Sequence, residues 1–172
     1  EFREAILRLR ALTLGLGTEA DATFKGMPGE EIIQSLPFKF NNVVRRYWLH
    51  DEATLATVFI PAIRVPYLHY FSRVYSFATA MIVTDKQVLI VVEQGVEGSA
   101  GKYGEAWLFC PLQRIASAFL EDVPKYDIRA FRLEMGSQQH RETINVPYLP
   151  EQEHDVVYFL GAIDQAKANA SS

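Results

Sequence analysis

The 172-residue sequence predicts an α+β protein that is mainly β. The expected body is a strongly bent antiparallel sheet of seven strands, a partial barrel, capped by one C-terminal helix and preceded by an N-terminal helical extension. Three observations carry this. The spacing of apolar residues changes from helical to alternating at Leu55. Short β-branched and aromatic runs then follow one another, separated by breaks rich in Gly, Pro and Asp. After Pro150 an amphipathic stretch supplies a single helix, and the open apolar end of a bent sheet needs such a plug.

Phe2, Ile6, Leu9, Leu12 and Leu16 recur at intervals of three and four, which is one face of a helix, and Gly15 and Gly17 end it. Residues 18–27 are polar and read as a linker. Pro28 suits the first position of a short helix with Glu30 and Glu31 in its first turn, and Pro37 stops it. A second helix is expected from Phe38 to Leu49, followed by the polar break His50-Asp51-Glu52. The extension thus covers residues 1–51 and the sheet domain residues 52–168.

Within that domain Leu55–Ile63 reads as the first strand, ended by Pro61 or broken near it. Residues 65–70, with Pro66, read as a turn region and Phe71–Thr84 as a long second strand. The central hairpin spans residues 77–93, where Thr84-Asp85-Lys86-Gln87 reverses the chain between two apolar runs. Gln94–Gly104 carries four glycines and reads as a flexible loop. Glu105–Pro111 alternates Trp107 and Phe109 against Leu108 and Cys110. Leu112–Leu120 is a strand, or a helical turn followed by one. Tyr126–Met135 and Gln139–Val146 complete the set. From Glu151, a helix carries Val156, Val157, Phe159, Leu160 and Ile163 as its apolar stripe.

With 17 basic and 21 acidic residues the net charge is −4, and no segment is strongly basic, which argues against nucleic acid as a partner. The single Cys110 excludes an internal disulfide and a multi-cysteine metal site. The longest uncharged apolar-rich stretch, Val74–Thr84, is too short to span a membrane, and Arg3, Glu4, Arg8 and Arg10 break any signal-peptide pattern. A chain that opens Glu-Phe and ends Ala-Ser-Ser reads as part of a longer protein.

Residues 78–93, Ala-Thr-Ala-Met-Ile-Val-Thr-Asp-Lys-Gln-Val-Leu-Ile-Val-Val-Glu, resemble the apolar–Thr–Asp/Asn–Lys/Arg–Arg/Gln–apolar hairpin of bacterial pleckstrin-homology-like domains. Phe109-Cys110-Pro111-Leu112-Gln113-Arg114-Ile115-Ala116-Ser117 is similar to that family's Ile-Pro-Leu–x–x–Ile–x–Ser segment. Leu133-Glu134-Met135-Gly136 matches its late strand and turn, and Val156–Ile163 its closing helix. The resemblance covers about residues 52–168. Gln87 departs from the commoner Arg. It implies a bacterial, non-enzymatic binding or scaffolding module, cytoplasmic with a membrane-peripheral position as the alternative. Its partner would be another protein or a second copy of itself, and no cofactor is expected. In such domains basic residues around the first two strands can hold lipid headgroups.

The residues matching that region are Arg64, His69 and Arg73, with Lys86 on the next turn. They read first as solvated strand-end charges and second as an anion or headgroup site. Aromatic residues cluster nearby, and Tyr70, Phe71 and Tyr75 are candidate partner contacts if exposed at a sheet edge. Phe2, Ile6 and Leu9 are the equivalent candidates on the first helix. His50 and Asp51 lack a second cluster at ligand spacing, so no metal site is expected. Cys110 reads as a buried apolar residue. No nucleophile elbow, phosphate loop or dinucleotide fingerprint occurs. An enzyme would have to assemble distant groups such as His69, Asp85 and Glu93, the third reading.

Overall fold

The computed structural model describes residues 2–14, 28–46, 52–67, 71–95, 103–123, 126–137 and 140–170. Helices α1 (Phe2–Thr13), α2 (Glu30–Gln34) and α3 (Phe38–Arg46) precede nine strands. These are β1 (Thr54–Ile60), β2 (Ile63–Tyr67), β3 (Phe71–Ser76), β4 (Thr79–Thr84), β5 (Gln87–Gly95), β6 (Tyr103–Pro111), β7 (Ile115–Val123), β8 (Ile128–Ser137) and β9 (His140–Tyr148). Helix α4 (Glu153–Ala170) closes the chain.

The strands form three sheets instead of one seven-stranded sheet, and none closes: β1-β4-β5-β6, β2-β3 and β7-β8-β9, all antiparallel. The two extra strands come from residues 63–76, where the sequence predicts a turn and half of a long strand. Pro61 ends β1, and Phe77-Ala78 interrupts the expected Phe71–Thr84 strand. Between those breaks, among the described residues, β2 and β3 pair only with each other. The remaining four and three strands, followed by α4, keep the predicted order.

The inner core lies between the two larger sheets and under α4. Val58, Ile60, Met81, Val83, Val88 and Ile90 come from the first sheet, and Phe131, Leu133, Val146 and Tyr148 from the third. Helix α4 fills the remaining side with Val156, Phe159, Ile163 and Ala166, spaced at three and four. Its Phe159 ring meets Phe131 edge-on at 5.8 Å, a geometry aromatic quadrupoles favour. Val157 of the predicted stripe faces outward, because a helix against a sheet buries a band narrower than its full apolar content.

A second core covers the other face of the four-stranded sheet. Ile33, Leu36, Phe40, Val43 and Val44 pack on Ala78, Ala80, Ile82, Leu89 and Val91. That is why β4 is buried along its whole length and reads as a continuous apolar run. Residues 30–44 are therefore a layer of the same body. Pro28 lies outside α2, contrary to the sequence expectation. Gly29 begins the helix instead in a left-handed conformation (φ 81°), pressed so close to Thr54 that a Cβ would meet its carbonyl at 2.3 Å. The backbone N–H of Thr54 donates to the Pro28 carbonyl at 3.0 Å, which sets this connection against the start of β1.

The expected linker at 18–27, the end of the second helix at 47–49, His50 and the glycine-rich tip of the 94–104 loop lie outside the described residues. Among those described, β5 and β6 run further into that loop than predicted, to Gly95 and from Tyr103. Leu112–Arg114 form a 3-10 turn before β7, the second of the two expected forms.

Candidate functional site

The predicted cations are not brought together. Arg64 pairs across the β2–β3 hairpin with Val74, and Arg73 with Val65. Cross-strand partners share a face and neighbours alternate, so the two arginines point to opposite sides. Lys86 sits at the β4–β5 turn, whereas the hairpin leaves the first sheet at the Ile60–Thr79 end. The length of β4, roughly 17 Å at ~3.3 Å per residue, separates them. His69 and Tyr70 lie outside the described residues.

The hairpin instead presents aromatic rings. Tyr67 and Phe71 face each other across the strands on the side that carries Arg73. They are 52% and 68% exposed, and Tyr75 is 38% exposed. The Arg73 guanidinium lies 5.6 Å from the Tyr67 ring centre, a cation–π contact. Tyr75 meets Tyr126 edge-on at 6.2 Å. The base of the hairpin is anchored, since Ile63 and Val65 are buried with Ile128 against Val123 and Leu149. Tyr126 and Asp127 both hold positive φ, 67° and 50°. That conformation is costly for a bulky Tyr, and it aims the Tyr126 ring at the hairpin.

On α1 the apolar stripe is not the face that packs against this domain. Leu9 and Leu12 are 62% and 65% exposed, Ile6 is half-buried, and the side chain of Phe2 lies outside the described set. The buried face is Leu7, Arg10 and Ala11. A polar network decides this. Arg10 Nη2 donates to Glu52 Oε2 at 2.6 Å, with both side chains fully buried. The Gln87 amide donates to Glu52 Oε1, and the Thr84 hydroxyl stands 3.4 Å from the same oxygen. The Arg10 guanidinium lies 4.9 Å from the Phe109 ring centre. Burial pulls its pKa below the ordinary value, and Glu52 acts against that pull. Glu52 and Gln87 thus matter in a way the local sequence does not signal. Gln87, where Arg is commoner in similar hairpins, here faces a carboxylate already matched by Arg10.

At the turn, the Thr84 hydroxyl accepts from the backbone N–H groups of Lys86 (3.1 Å) and Gln87 (3.0 Å). Asp85 Oδ1 accepts from Ala53 N–H at 2.9 Å, and Asp85 N–H donates to Ala53 O at 3.0 Å. Asp85 therefore both reverses the chain and fixes the approach to β1. Glu93 bonds Lys39 at 2.5 Å near the opposite end of the strand. The pair Asp85 and Glu93 does not converge on a common point. Cys110 is buried, and burial pushes its thiol up to about 12 with a smaller contribution from Glu142. Such a thiol is not a nucleophile at neutral pH. Among the described residues no three His, Cys, Asp or Glu side chains are grouped to hold a metal ion, and no helix is long and apolar enough to cross a membrane.

Two clefts lie at the β4–β5 turn end. One, of about 390 Å³, is bordered by Leu14, Asp85, Lys86, Leu112, Ile115 and Lys167. The other, of about 640 Å³, is bordered by Thr13, Phe109, Pro111, Arg114, Met135 and Arg141.

Two of the solved structures to which the chain is similar are as follows. One is a DUF1696 family protein with a pleckstrin-homology domain from Shewanella loihica PV-4, 15% identical over 75% of this chain and 91% of that one, with a TM-score of 0.45. One neighbour thus has a pleckstrin-homology domain. The other is the hSac2 domain from the human phosphoinositide phosphatase Sac2, 10% identical over 77% of this chain and 85% of that one, with a TM-score of 0.48. At these identities and scores the likeness carries no functional argument. No family model matches the chain, and no curated protein does.

Proposed function

We propose that this chain is a non-enzymatic binding module of pleckstrin-homology-like type that takes hold of a partner protein through the β2–β3 hairpin. One observation carries the reading: Tyr67, Phe71, Arg73 and Tyr75 lie exposed on one side of a hairpin that stands outside both larger sheets, the side whose base is fixed by the buried Val65. Aromatic rings and Arg dominate protein contacts because they bring large area, low entropy cost and directional charge. The buried base holds the face in place, so little ordering is required on binding. The described hairpin residues include two arginines and no carboxylate, which favours an acidic partner surface.

A second copy is the partner with a specific observation behind it. The outer side of α4 exposes Val157 and Tyr158 next to Glu151 and Asp155, complementary in charge to the hairpin, and such a head-to-tail contact is heterologous. Lipid headgroup binding has less support, since Arg64 and Arg73 face apart and Lys86 lies at the far end.

The test is photo-crosslinking from Phe71→p-benzoylphenylalanine. A discrete adduct is expected, with itself or with one other protein, and it should be lost on Arg73→Glu and on Tyr67→Ser. Sedimentation velocity separates the self-adduct from the other. The absence of a discrete adduct, or one indifferent to both substitutions, sinks the proposal.

A further inference from the structure

The two clefts at the β4–β5 turn end flank one ridge. Each touches the end of the first helix, one at Leu14 and one at Thr13, and each borders the 3-10 turn Leu112–Arg114. The Lys86 carbonyl accepts from Leu112 N–H at 3.0 Å, which ties the hairpin tip to that turn. They are thus two lobes on either side of Leu112–Arg114.

The lobes repeat one chemistry. The first has an apolar floor of Leu14, Leu112 and Ile115 with Lys86 and Lys167 beside it. The second has Phe109, Pro111 and Met135 with Arg114 and Arg141. His140 lines the second lobe as well. Two carboxylates oppose these four cations: Asp85, already engaged with Ala53 N–H, and Glu142. Arg141 meets Glu134 at 3.2 Å, and Lys167 donates to the Ile115 carbonyl at 3.0 Å. The side chains of Lys86 and Arg114 make no ion pair among the described residues. Counting Glu134, the end holds four cations and three carboxylates, so in a chain of net charge −4 it carries a local positive excess, centred on Lys86 and Arg114.

We infer that this end binds a short acidic, apolar-bearing peptide segment of a partner protein, laid across the Leu112–Arg114 ridge. Its apolar side chains fill the two floors, and its carboxylates meet Lys86 and Lys167 on one side and Arg114 and Arg141 on the other. Single exposed ion pairs contribute little, so the contact needs both lobes, and it weakens as salt screens the charges. The site is distinct from the hairpin and depends on α1, whose seat Arg10 and Glu52 fix.

Fluorescence anisotropy with a labelled peptide of alternating Glu and Leu tests this. Saturable binding is expected, weakened by added salt, by about tenfold or more in Lys86→Glu with Arg114→Glu, and unchanged in Phe71→Ser. Arg114→Gln alone, a neutral change at an exposed residue, gives a smaller loss and serves if the double reversal fails to fold. A Gln–Leu peptide and a Glu–Gly peptide should both bind poorly. No saturable binding, equal binding of either control peptide, indifference to the charge changes, or loss on Phe71→Ser each overturns the inference.

Discussion

A carboxylate removed from water must have its lone pairs answered, and Glu52 is answered by Arg10, Gln87 and Thr84. Removing one partner leaves a buried charge. Arg10→Ala or Glu52→Ala should therefore cost about 3–5 kcal/mol in urea unfolding, whereas Arg10→Met combined with Glu52→Leu should lose far less. Equal losses in the single and double variants would show that packing, not charge, governs the site. Cys110 gives a pH dependence. Its thiol ionises near 9.0 in the unfolded chain and at about 12 in the folded one. Between those values the unfolded state has released a proton that the native state keeps. The thiol's contribution is thus full below 9 and is lost as pH rises toward 12. Burial also raises the Tyr148 phenol, which titrates in the same direction. The comparison with Cys110→Ala isolates the thiol: urea midpoints of the wild type should fall more steeply above pH 9 than those of the variant.

At the scale of elements, two helices show which faces dock. On α1, Leu7→Ala should cost about 2–5 kcal/mol, while Leu9→Lys and Leu12→Lys, at exposed positions, should stay within about 0.5 kcal/mol. The amphipathic stripe of the sequence predicts the reverse ranking, so thermal unfolding of the three variants separates the two faces. On α4, Phe159→Ala should cost about 3–5 kcal/mol and Tyr158→Ala almost nothing. Gly29→Ala forces a Cβ onto the Thr54 carbonyl at a positive φ, and α2 should loosen from β1 with a lowered Tm. The alternation in β6 and β8 and the closing helix were legible because one buried face imposes a period of two or of 3.6 on its residues. The β2–β3 hairpin was not. Among its described residues only Ile63 and Val65 are buried, too few to impose a period on the sequence.

The whole molecule is a four-stranded sheet covered on both faces. The inner layer of β7-β8-β9 and α4 stabilises one side, and α2 and α3 the other. The two proposed contact surfaces fall at the two ends, the hairpin at one and the paired clefts at the other. Substituting Tyr67 and Tyr75 by Ser together should leave the unfolding midpoint of the larger sheets nearly unchanged while removing the crosslink formed from position 71. A large loss of stability would make the hairpin a core element. Of the anticipated site, Phe71 and Tyr75 were legible as candidates on condition of exposure, which the structure supplies, but Arg64 and Arg73 were not separable, because which face a strand residue takes depends on register.

By itself the sequence determined the order of the seven strands in the two larger sheets, the turn at Thr84–Gln87 and the plug formed by α4, since these follow from apolar period and turn chemistry within a few residues. Only the tertiary structure decided that α1 docks through Arg10 and not through its leucines. A buried ion pair joins residues 42 positions apart in the chain, and its strength depends on the water excluded around it, which no local pattern records. The same holds for the ridge at Leu112–Arg114. Its cations come from the β4–β5 turn, the 3-10 turn, β9 and α4, and become neighbours only when the sheets close over the inner core.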